Sequence, residues 1–539
     1  MGGSEQSSLD AAPMLSGASG DVVADTAPHS WVTPRVVLWA FSAVNLLLYF
    51  DRGATAGALS SIRIDPALTS SGLALSDARS GFLVSGFTIG YIFASPFFAS
   101  RGSAWGSRAV ILLGVALWCI TCVGCALAFS YASLLLCRIL VGVSEAAFVG
   151  FTVTIVDNIA PPAQRTSWIG VFYAMIPVGT AVGMGCGGAL TSYPVILGLP
   201  PWRLVYLLEV VAALPVVVLV YSIPAAYHLA PAADAVGASP STQLPFLAAT
   251  GRVLGNAKYV LLVLGFSTYC FATGAVSTWG IPLLHEGPLQ MSKAAAAGVM
   301  GLATTFSGVV GSLLGGLAVD HWGGSTGVAG AMQCQQFNIL MILVAIPVGM
   351  VALLSTDATA FVVAFVVAVA ALFAITAPFN ASMLSAVPAE LRPYAASYCV
   401  FIIHLLGDFP SPTLAGLVSD YLGRHCRGRQ REECAAASPE LRCTWVDDAN
   451  GRGRCVCRVQ LRDALMLVFA YLSVAPPCWA AVWWLLRQEK RAGDGVVFEA
   501  AAAAVLSGTE PPPTPICAHD ERSDSHDAAP SLKGVHHRR

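Results

Sequence analysis

The chain has 539 residues, of which 56% are hydrophobic and 11% are charged, and its mean hydropathy is +0.68. Soluble domains usually carry about a quarter charged residues, so this composition excludes a chain that folds mainly in water. The formal net charge of -2 excludes a broad basic surface for nucleic acid. Apolar runs of about twenty residues recur along the sequence. That length crosses a hydrocarbon core, and in lipid each run must be a helix because a helix satisfies its own amides.

The apolar runs predict an all-α membrane protein with twelve spans in two groups of six. The predicted spans are 36–60, 79–99, 109–129, 132–157, 167–190, 203–223, 258–284, 295–320, 328–354, 358–385, 395–421 and 463–487. The first bundle occupies residues 34–224 and the second 257–490, with a cytoplasmic linker at 225–256. Residues 1–33 lack the basic start and apolar centre of a signal peptide, and we expect residues 1–33 and 491–539 to be disordered tails.

Two sequence echoes indicate that the halves are related. The loop 160–165 after the fourth span resembles the loop 387–392 after the tenth, with a proline and a final arginine in each. The spacing of Ala99, Ser103 and Gly106 after the second span matches that of Gly316, Asp320 and Gly323 after the eighth. Both echoes lie at equivalent places, which favours a repeat over chance and places the substrate site between the halves. The candidate gating residues in these loops are Arg165, Arg392, Gly316 and Asp320.

Orientation follows from the excess of basic residues in cytoplasmic loops. With the N-terminus inside, the inner loops receive most of the basic residues, and the outer loops receive Arg63, Arg79, Arg203 and Lys293. The segment 424–458 contradicts this rule because it is rich in Arg on the predicted outer side, although it also carries five acidic residues. The other loops predict that both termini are cytoplasmic.

Four charged residues stand out inside the first group of spans: Asp51 and Arg52 in span one, Arg138 and Glu145 in span four. A helix rises 1.5 Å per residue, which places Asp51 about 22 Å and Arg138 about 20 Å from the inner edge. The two should therefore meet, with Glu145 on the same face about 10 Å deeper. We expect these groups to line a water-accessible gap between the halves. The alternative is a buried ion pair that only fixes helix packing.

Charged groups inside a span are functional candidates by default. Asp51 or Glu145 could take up and release a proton if the surroundings change between states. Arg52 and Arg138 could bind an anionic head group, because a guanidinium suits phosphate and carboxylate. In the second half, Asp408 lies about 20 Å into span eleven, and His404 is one turn earlier. His404 is a weak candidate for a proton site, because a buried histidine more commonly has a structural role with its hydrogen bonds satisfied. We expect Glu209 in span six to lie near an interface and to be structural.

Small residues and prolines mark two spans. Pro177, Gly179 and Gly183 in span five allow close helix approach and bending, which serves either tight packing or a sliding contact during transport. Pro410 and Pro412 interrupt span eleven, and the carbonyls that they free are tolerated only against protein or a water cavity. Span eleven is therefore predicted to border the central cavity. The apolar and aromatic residues of spans seven and eleven suit a substrate with a greasy part.

Five segments, in order, resemble the spinster family of the major facilitator superfamily. They are Asn45 to Arg52, Arg138 to Ala146, Phe172-Tyr173 with 176–179, Thr273 to Ala275 with Trp279 and Pro282, and His404 to Asp408 with 411–420. The resemblance covers about residues 36–422 and 463–487. It implies a two-bundle major facilitator fold with alternating access and proton-linked export of lysophospholipids or sphingoid phosphates. The family roles would carry over to Asp51, Arg52, Arg138, Glu145 and Asp408.

Two features depart from that family. After span two, Ala99, Ser103 and Ala104 replace the glycine, aspartate and basic residue of the superfamily gate motif, which predicts a weakened latch. The insert 424–458 lies outside the family pattern and carries five cysteines, Cys426, Cys434, Cys443, Cys455 and Cys457. On an outer or lumenal face these would form two disulfides with one thiol left over. A zinc site is the alternative, but the spacings do not match paired CxxC knuckles.

The sequence therefore predicts a multi-pass secondary transporter of a lipid-like substrate in the plasma membrane or an endosomal or lysosomal membrane. Its expected partners are the substrate, protons and membrane lipids. We expect a monomer that binds no nucleic acid and holds no cofactor or resident metal. The sequence contains no His-Glu-x-x-His motif, which would indicate a zinc-dependent protease. Two other functions fit the same sequence: a carrier for a small hydrophilic solute, and a membrane sensor or scaffold that does not transport.

Overall fold

The computed structural model describes most of the chain. The described residues are 31–69, 74–161, 165–195, 198–228, 246–325, 327–388, 391–424, 432–436, 443–447, 453–457 and 459–507. The chain divides into two compact units, residues 1–483 and 484–539. The contacts described below lie in the first unit. The second unit contains the end of the last helix.

The first half of the chain forms six long helices. They are α1 (Pro34–Ile62), α2 (Asp77–Trp105), α3 (Ser107–Ala126), α4 (Tyr131–Ile159), α5 (Arg165–Leu190) and α6 (Pro201–Tyr221). Local chemistry fixes several of their starts. The Thr33 side chain accepts a hydrogen bond from the Val36 amide, with proline at the first helical position. Ser130 and Ser133 form a capping box at the start of α4.

The second half repeats this arrangement with interrupted helices. A short helix α7 (Phe246–Leu254) precedes α8 (Ala257–Glu286), α9 (Lys293–His321), α10 (Gly327–Leu354), α11 (Ala358–Ala374) and α12 (Thr376–Ser385). Then follow α13 (Arg392–Ile403), a π-helical turn (His404–Asp408), α14 (Pro410–Leu422), α15 (Gln460–Tyr471) and α16 (Ala475–Ser507). Because α11–α12, α13–α14 and α15–α16 each form one interrupted rod, this half also has six long rods.

Every predicted span overlaps one of these rods. Within the part of the chain that the structure describes, eleven helices are long and apolar enough to cross a membrane. The remaining rod is α2, several of whose side chains lie outside the described part. The observed architecture is therefore the predicted all-α membrane fold.

The predicted segment boundaries agree less closely. The linker contains a helix, α7, while residues 229–245 lie outside the described part. The last helix continues to Ser507, so the tail boundary expected at residue 491 falls inside a helix. The expected tail residues 1–30 and 508–539 lie outside the described ranges. The insert contains an antiparallel hairpin of β1 (Cys443–Asp447) and β2 (Gly453–Cys457), in which Cys443 lies opposite Cys457.

Glycines set the distance between α1 and α5 inside the first half. A Cβ atom at Gly53 would overlap the carbonyl of Thr180, and one at Gly183 would overlap the carbonyl of Phe50. Gly179 faces the carbonyl of Leu46 in the same way. Gly179 and Gly183 therefore serve tight packing within one half, which is one of the two roles that the sequence allowed.

Among the described residues, the two halves meet chiefly where α1 packs on α8, α2 on the π-helical turn and α14, and α5 on α9. At the α2–α14 pair, the Cβ position of Gly416 lies against the backbone of Asp77, where α2 begins. At the α5–α9 pair, Gly188 faces Ala297 near the end of α5. We call the end of the molecule where α1 ends and α2 begins the Arg63 end. The positive-inside rule predicts that this end faces outward.

Candidate functional site

Asp51 and Arg138 form an ion pair inside the first half. The Arg138 Nη1 donates to both carboxylate oxygens of Asp51, at 2.7 and 2.8 Å. Both side chains are buried, and the Arg138 guanidinium lies 5.9 Å from the centre of the Tyr206 ring on α6. The pair meets as helix rise predicts. The expectation that it lines a water-accessible gap is wrong for this structure, because helices of one half enclose it.

Arg52 and Glu145 form the second ion pair of α1 and α4. The Arg52 Nη2 lies 2.7 Å from the Glu145 Oε2, and the Arg52 side chain is 21% exposed while that of Glu145 is buried. The guanidinium lies 4.6 Å from the ring centre of Tyr49 and 4.5 Å from that of Phe87. Of the neighbouring residues Asp51 and Arg52, only Arg52 is therefore partly exposed.

The second half contributes a histidine and an acid at the π-helical turn. The Nδ1 of His404 lies 2.9 Å from the Oδ2 of Asp408, and the two side chains are 17% and 32% exposed. The Phe409 amide donates to the His404 carbonyl, five residues back. Pro410 follows at once, and the proline ring opposes a regular α-turn at this place. Pro410, one of the two prolines predicted to border the cavity, thus favours the π-helical turn that holds His404 and Asp408 together.

Aromatic rings connect these groups across the two halves. The rings of Tyr91 on α2 and His404 lie 5.6 Å apart in an edge-on arrangement. The Tyr49 ring, 4.6 Å from the Arg52 guanidinium, has Glu145 and Asp408 among its charged neighbours. We call this group the central polar site; its residues are Tyr49, Arg52, Phe87, Tyr91, Glu145, His404 and Asp408.

A second charged network, which the sequence analysis did not identify, closes the Arg63 end. Arg63 forms ion pairs with Asp77 and, at 3.5 Å, with Glu286 of the second half. Its guanidinium lies 5.3 Å from the centre of the Trp279 ring. The signal available in the sequence was the position of these charges, each at the end of a different span.

Asp77 is the centre of this network. Its carboxylate accepts hydrogen bonds from the Ser419 hydroxyl at 2.6 Å and the Gln460 amide at 3.3 Å. In return, the carboxylate of Asp420 accepts from the backbone amides of Asp77 and Ala78, both at 2.9 Å. The first turn of α2 is therefore capped by a residue of the other half.

The predicted gating residues of the repeated loops do not come together in the described structure. Asp320 is exposed near the end of α9, and a Cβ at Gly316 would meet no described atom within 4 Å. Arg392 is exposed and donates to the Leu384 carbonyl at 3.1 Å. Arg165 begins α5, and its side chain lies outside the described part. Pro177 does face the other half, since its carbonyl accepts from the Thr305 hydroxyl at 3.0 Å.

The cysteines of the insert are largely oxidised. Cys434 and Cys455 form a disulfide, and Cys443 is also disulfide-bonded. Cys457 keeps a free, buried thiol, and Cys426 lies outside the described residues. Three of the five candidate cysteines are therefore bound to sulfur rather than free to ligate zinc.

Glu209 is placed differently from expectation. It was expected near an interface, but its side chain is fully buried beside Asp51 and Cys122.

A Gly-x-Ser-x-Gly sequence at 323–327 follows α9 and ends at the first residue of α10. In hydrolases this motif needs a strand-to-helix turn, and here it follows a helix.

Comparison with known proteins identifies the family. The family model described as Major Facilitator Superfamily matches residues 41–428. The "Probable sphingolipid transporter spinster homolog 2" of Arabidopsis thaliana is 33% identical over 416 residues, covering 73% of this chain and 82% of that protein. The chain belongs to the spinster family.

Other similarities extend this assignment. "Protein spinster homolog 1" of Homo sapiens is 27% identical to this spinster-family chain over 414 residues, covering 71% of this chain and 72% of that protein. The structure of a bacterial homologue of the human lysosomal transporter spinster superposes with a TM-score of 0.70 at 20% identity, covering 85% of this chain and 98% of that one. The similarity confirms that the spinster-family protein has the predicted major facilitator fold. It is a multi-pass integral membrane protein, and its relatives are named as transporters.

Proposed function

We propose that this spinster-family protein is a secondary active transporter of a lipid-like molecule with an anionic head, either a lysophospholipid or a sphingoid phosphate. The observation that carries the proposal is the position of Arg52, a partly exposed cation held between the rings of Tyr49 and Phe87 at the meeting of the halves. A guanidinium binds phosphate through paired hydrogen bonds, and aromatic rings accept the apolar part of an amphipathic substrate. The name of the Arabidopsis relative, a probable sphingolipid transporter, supports the same substrate class.

Coupling to protons follows from the partner of Arg52. Glu145 is fully buried, and the 2.7 Å ion pair with Arg52 compensates its charge. An anionic head group that binds Arg52 draws the guanidinium away from Glu145. A buried carboxylate that loses its cation is strongly disfavoured, so Glu145 then takes up a proton. Binding of the anionic substrate and protonation of Glu145 would thus favour each other. On the side of the second half, His404 and Asp408 form a histidine–carboxylate pair that faces the same site.

Alternating access is supported by the contacts at the Arg63 end. There Arg63 joins Glu286, and Asp77 joins Ser419, so each contact spans the two halves. Release of substrate toward this end requires these contacts to separate. We place both termini in the cytoplasm and the protein in the plasma membrane or an endosomal or lysosomal membrane, where it would act as a monomer.

Transport into sealed liposomes that contain the purified full-length protein tests the proposal. Labelled lysophospholipid, labelled sphingosine phosphate and a labelled sugar are each offered with and without a pH gradient. We expect uptake of one or both lipids, increased by the gradient. Uptake of the sugar alone would assign a hydrophilic solute, and a folded protein that takes up none of the three would indicate a sensor or scaffold.

Substitutions of Arg52 test its proposed role in binding the substrate. Loss of a hydrogen bond to a charged group costs about 1.5–3 kcal/mol, so Arg52→Gln should lower lipid uptake about 10- to 100-fold. Arg52→Lys keeps the charge and should retain part of the activity. Arg203→Gln is the matched control, because Arg203 lies at the start of α6 and donates to the Ala126 carbonyl. Equal uptake by Arg52→Gln and the control would remove Arg52 from the substrate site.

A further inference from the structure

A cluster of three groups that can bind a cation lies in the core of the first half. Asp51 on α1, Cys122 on α3 and Glu209 on α6 are buried, and their oxygen and sulfur atoms lie within 4.8 Å of one another. The Cys122 thiol donates to the Glu209 Oε2 at 3.7 Å. The other carboxyl oxygen of Glu209, Oε1, has no hydrogen-bond partner among the described residues. A buried, unpartnered oxygen therefore lies beside a second carboxyl group.

The charges of this cluster do not balance if both carboxyls are ionised. Among the described residues, the groups that face Glu209 are Asp51 from α1, Cys122 from α3 and Arg138 from α4; Tyr206, on the same helix as Glu209, also neighbours Asp51 and Arg138. Arg138 is the cation in this set, and it already donates to both oxygens of Asp51. The Tyr206 hydroxyl is engaged with Thr55 at 3.0 Å. Two buried carboxylates beside one guanidinium leave an uncompensated negative charge, which a dry site does not tolerate.

We propose that Asp51 and Glu209 form a shared proton-binding site. Glu209 carries a proton on one carboxyl oxygen and donates it in a hydrogen bond to the carboxylate of Asp51. The pair then holds one negative charge, which Arg138 neutralises, and its two carboxyls titrate as a unit. A divalent metal fits the same atoms less well, because the guanidinium occupies both oxygens of Asp51 and repels a second cation.

The site deepens the proposed transport function, on which its consequence rests. Asp51 and Arg52 are consecutive residues, but Asp51 points into the core of the first half while Arg52 reaches the central polar site. A proton at Asp51–Glu209 thus sits directly behind the residue proposed to bind the substrate. Loss of this proton leaves Arg138 facing two carboxylates. If Arg138 then moves toward Glu209, Asp51 and its helix α1 would move with it, and so would the next residue, Arg52.

Infrared spectroscopy of the full-length protein in detergent tests the site without requiring transport. A protonated carboxylic acid has a C=O stretch that is resolved from those of carboxylates and amides. We expect one such acid at neutral pH in the wild type, and its band should disappear in Glu209→Gln. Glu286→Gln is the matched control, because Glu286 is a buried glutamate that pairs with Arg63. A band that survives in Glu209→Gln would overturn the proposal.

Asp51→Asn provides an independent variant should Glu209→Gln fail to fold. In Asp51→Asn, Arg138 is free to neutralise Glu209, so a shared site predicts that Glu209 ionises and the band is again lost. A band that persists in Asp51→Asn would mean that burial alone holds the proton, and the shared site would be wrong. A melting temperature that rises with Zn²⁺ and loses this response in Cys122→Ala would assign a metal instead. A protein with the band but no lipid uptake would keep this site and remove the proposed function.

Discussion

The hydroxyl of Ser419 donates a 2.6 Å hydrogen bond to the carboxylate of Asp77, and this contact joins the second half of the protein to the first. Both residues are buried at the Arg63 end, and Asp77 also pairs with Arg63. Asp77 therefore senses whether the two halves are together. If the halves separate, its partner in the first half remains and its partners in the second half are lost.

Ser419→Ala should weaken closure of the Arg63 end. Removal of a partner from a buried carboxylate costs about 1.5–3 kcal/mol, so the open population should rise at least about 10-fold. Hydrogen exchange of the Asp77 and Ala78 amides measures this change, because both amides donate to Asp420 only while the halves are together. Ser355→Ala is the control, since the Ser355 hydroxyl donates to the carbonyl of Val351, four residues earlier at the end of α10. Equal exchange in both variants would show that Ser419 does not hold this end closed.

Gly188→Leu should oppose the approach of α5 to α9. A Cβ atom at Gly188 would overlap the Cβ of Ala297 in the other half. Overpacking typically costs about 1–3 kcal/mol, which here falls mainly on the closed arrangement, so the amides of Asp77 and Ala78 should exchange faster. Gly185→Leu is the matched control, because a Cβ at Gly185 meets no described atom within 4 Å. If Gly188→Leu instead lowers the melting temperature without changing exchange at α2, the contact serves packing alone.

His228 should make the protein less stable in acid. It follows α6, outside the spans, where its ring lies edge-on to Phe41 at 6.5 Å and its Nδ1 lies 3.5 Å from the Ser107 hydroxyl. Burial, with a smaller contribution from Arg108, lowers the pKa of His228 from 6.5 to about 4. Between these pH values the unfolded chain binds a proton that the folded protein does not bind. Stability therefore falls as the pH drops from 6.5 toward 4, and because the ring is partly exposed and screened by water, the loss should be well below the roughly 3 kcal/mol that the full shift would give.

Thermal unfolding across this pH range, for wild type and His228→Gln, measures the effect. Between pH 6.5 and pH 4, the melting temperature of His228→Gln should fall less than that of the wild type. His321→Gln removes an imidazole from an exposed position and serves as the comparison. Parallel melting curves of wild type and His228→Gln over the whole range would contradict the assignment.

The sequence predicts those features that depend on local pattern and on distance along a helix. Apolar runs predict spans that each overlap a long helical rod, and the rise per residue brings Asp51 and Arg138 to the same depth. The direction in which each side chain points around the helix axis is harder to predict. Consecutive residues on a helix point about 100° apart, and only packing decides which of Asp51 and Arg52 faces the core. The sequence analysis therefore expected both residues to line the gap, whereas Asp51 is buried and Arg52 is partly exposed.

The contacts at the Arg63 end could not be obtained from local pattern. Arg63 and Glu286 are separated by 223 residues, and Asp77 and Ser419 by 342. Each charge alone is typical of a helix end near the membrane surface, so its partner becomes visible only when the two halves are assembled. Glu209 was expected near an interface rather than in the core for a similar reason, because its neighbours come from three other helices.

Asp420 supplies the cap of a helix in the opposite half, and this has a consequence for hydration. The amides at the start of a helix must always have an acceptor. Once the halves part at this end, water has to replace the carboxylate at both amides, and Asp420 must itself be solvated. The rearrangement therefore draws solvent into a dry seam, so osmotic stress, which withdraws water from such seams, should favour the closed form.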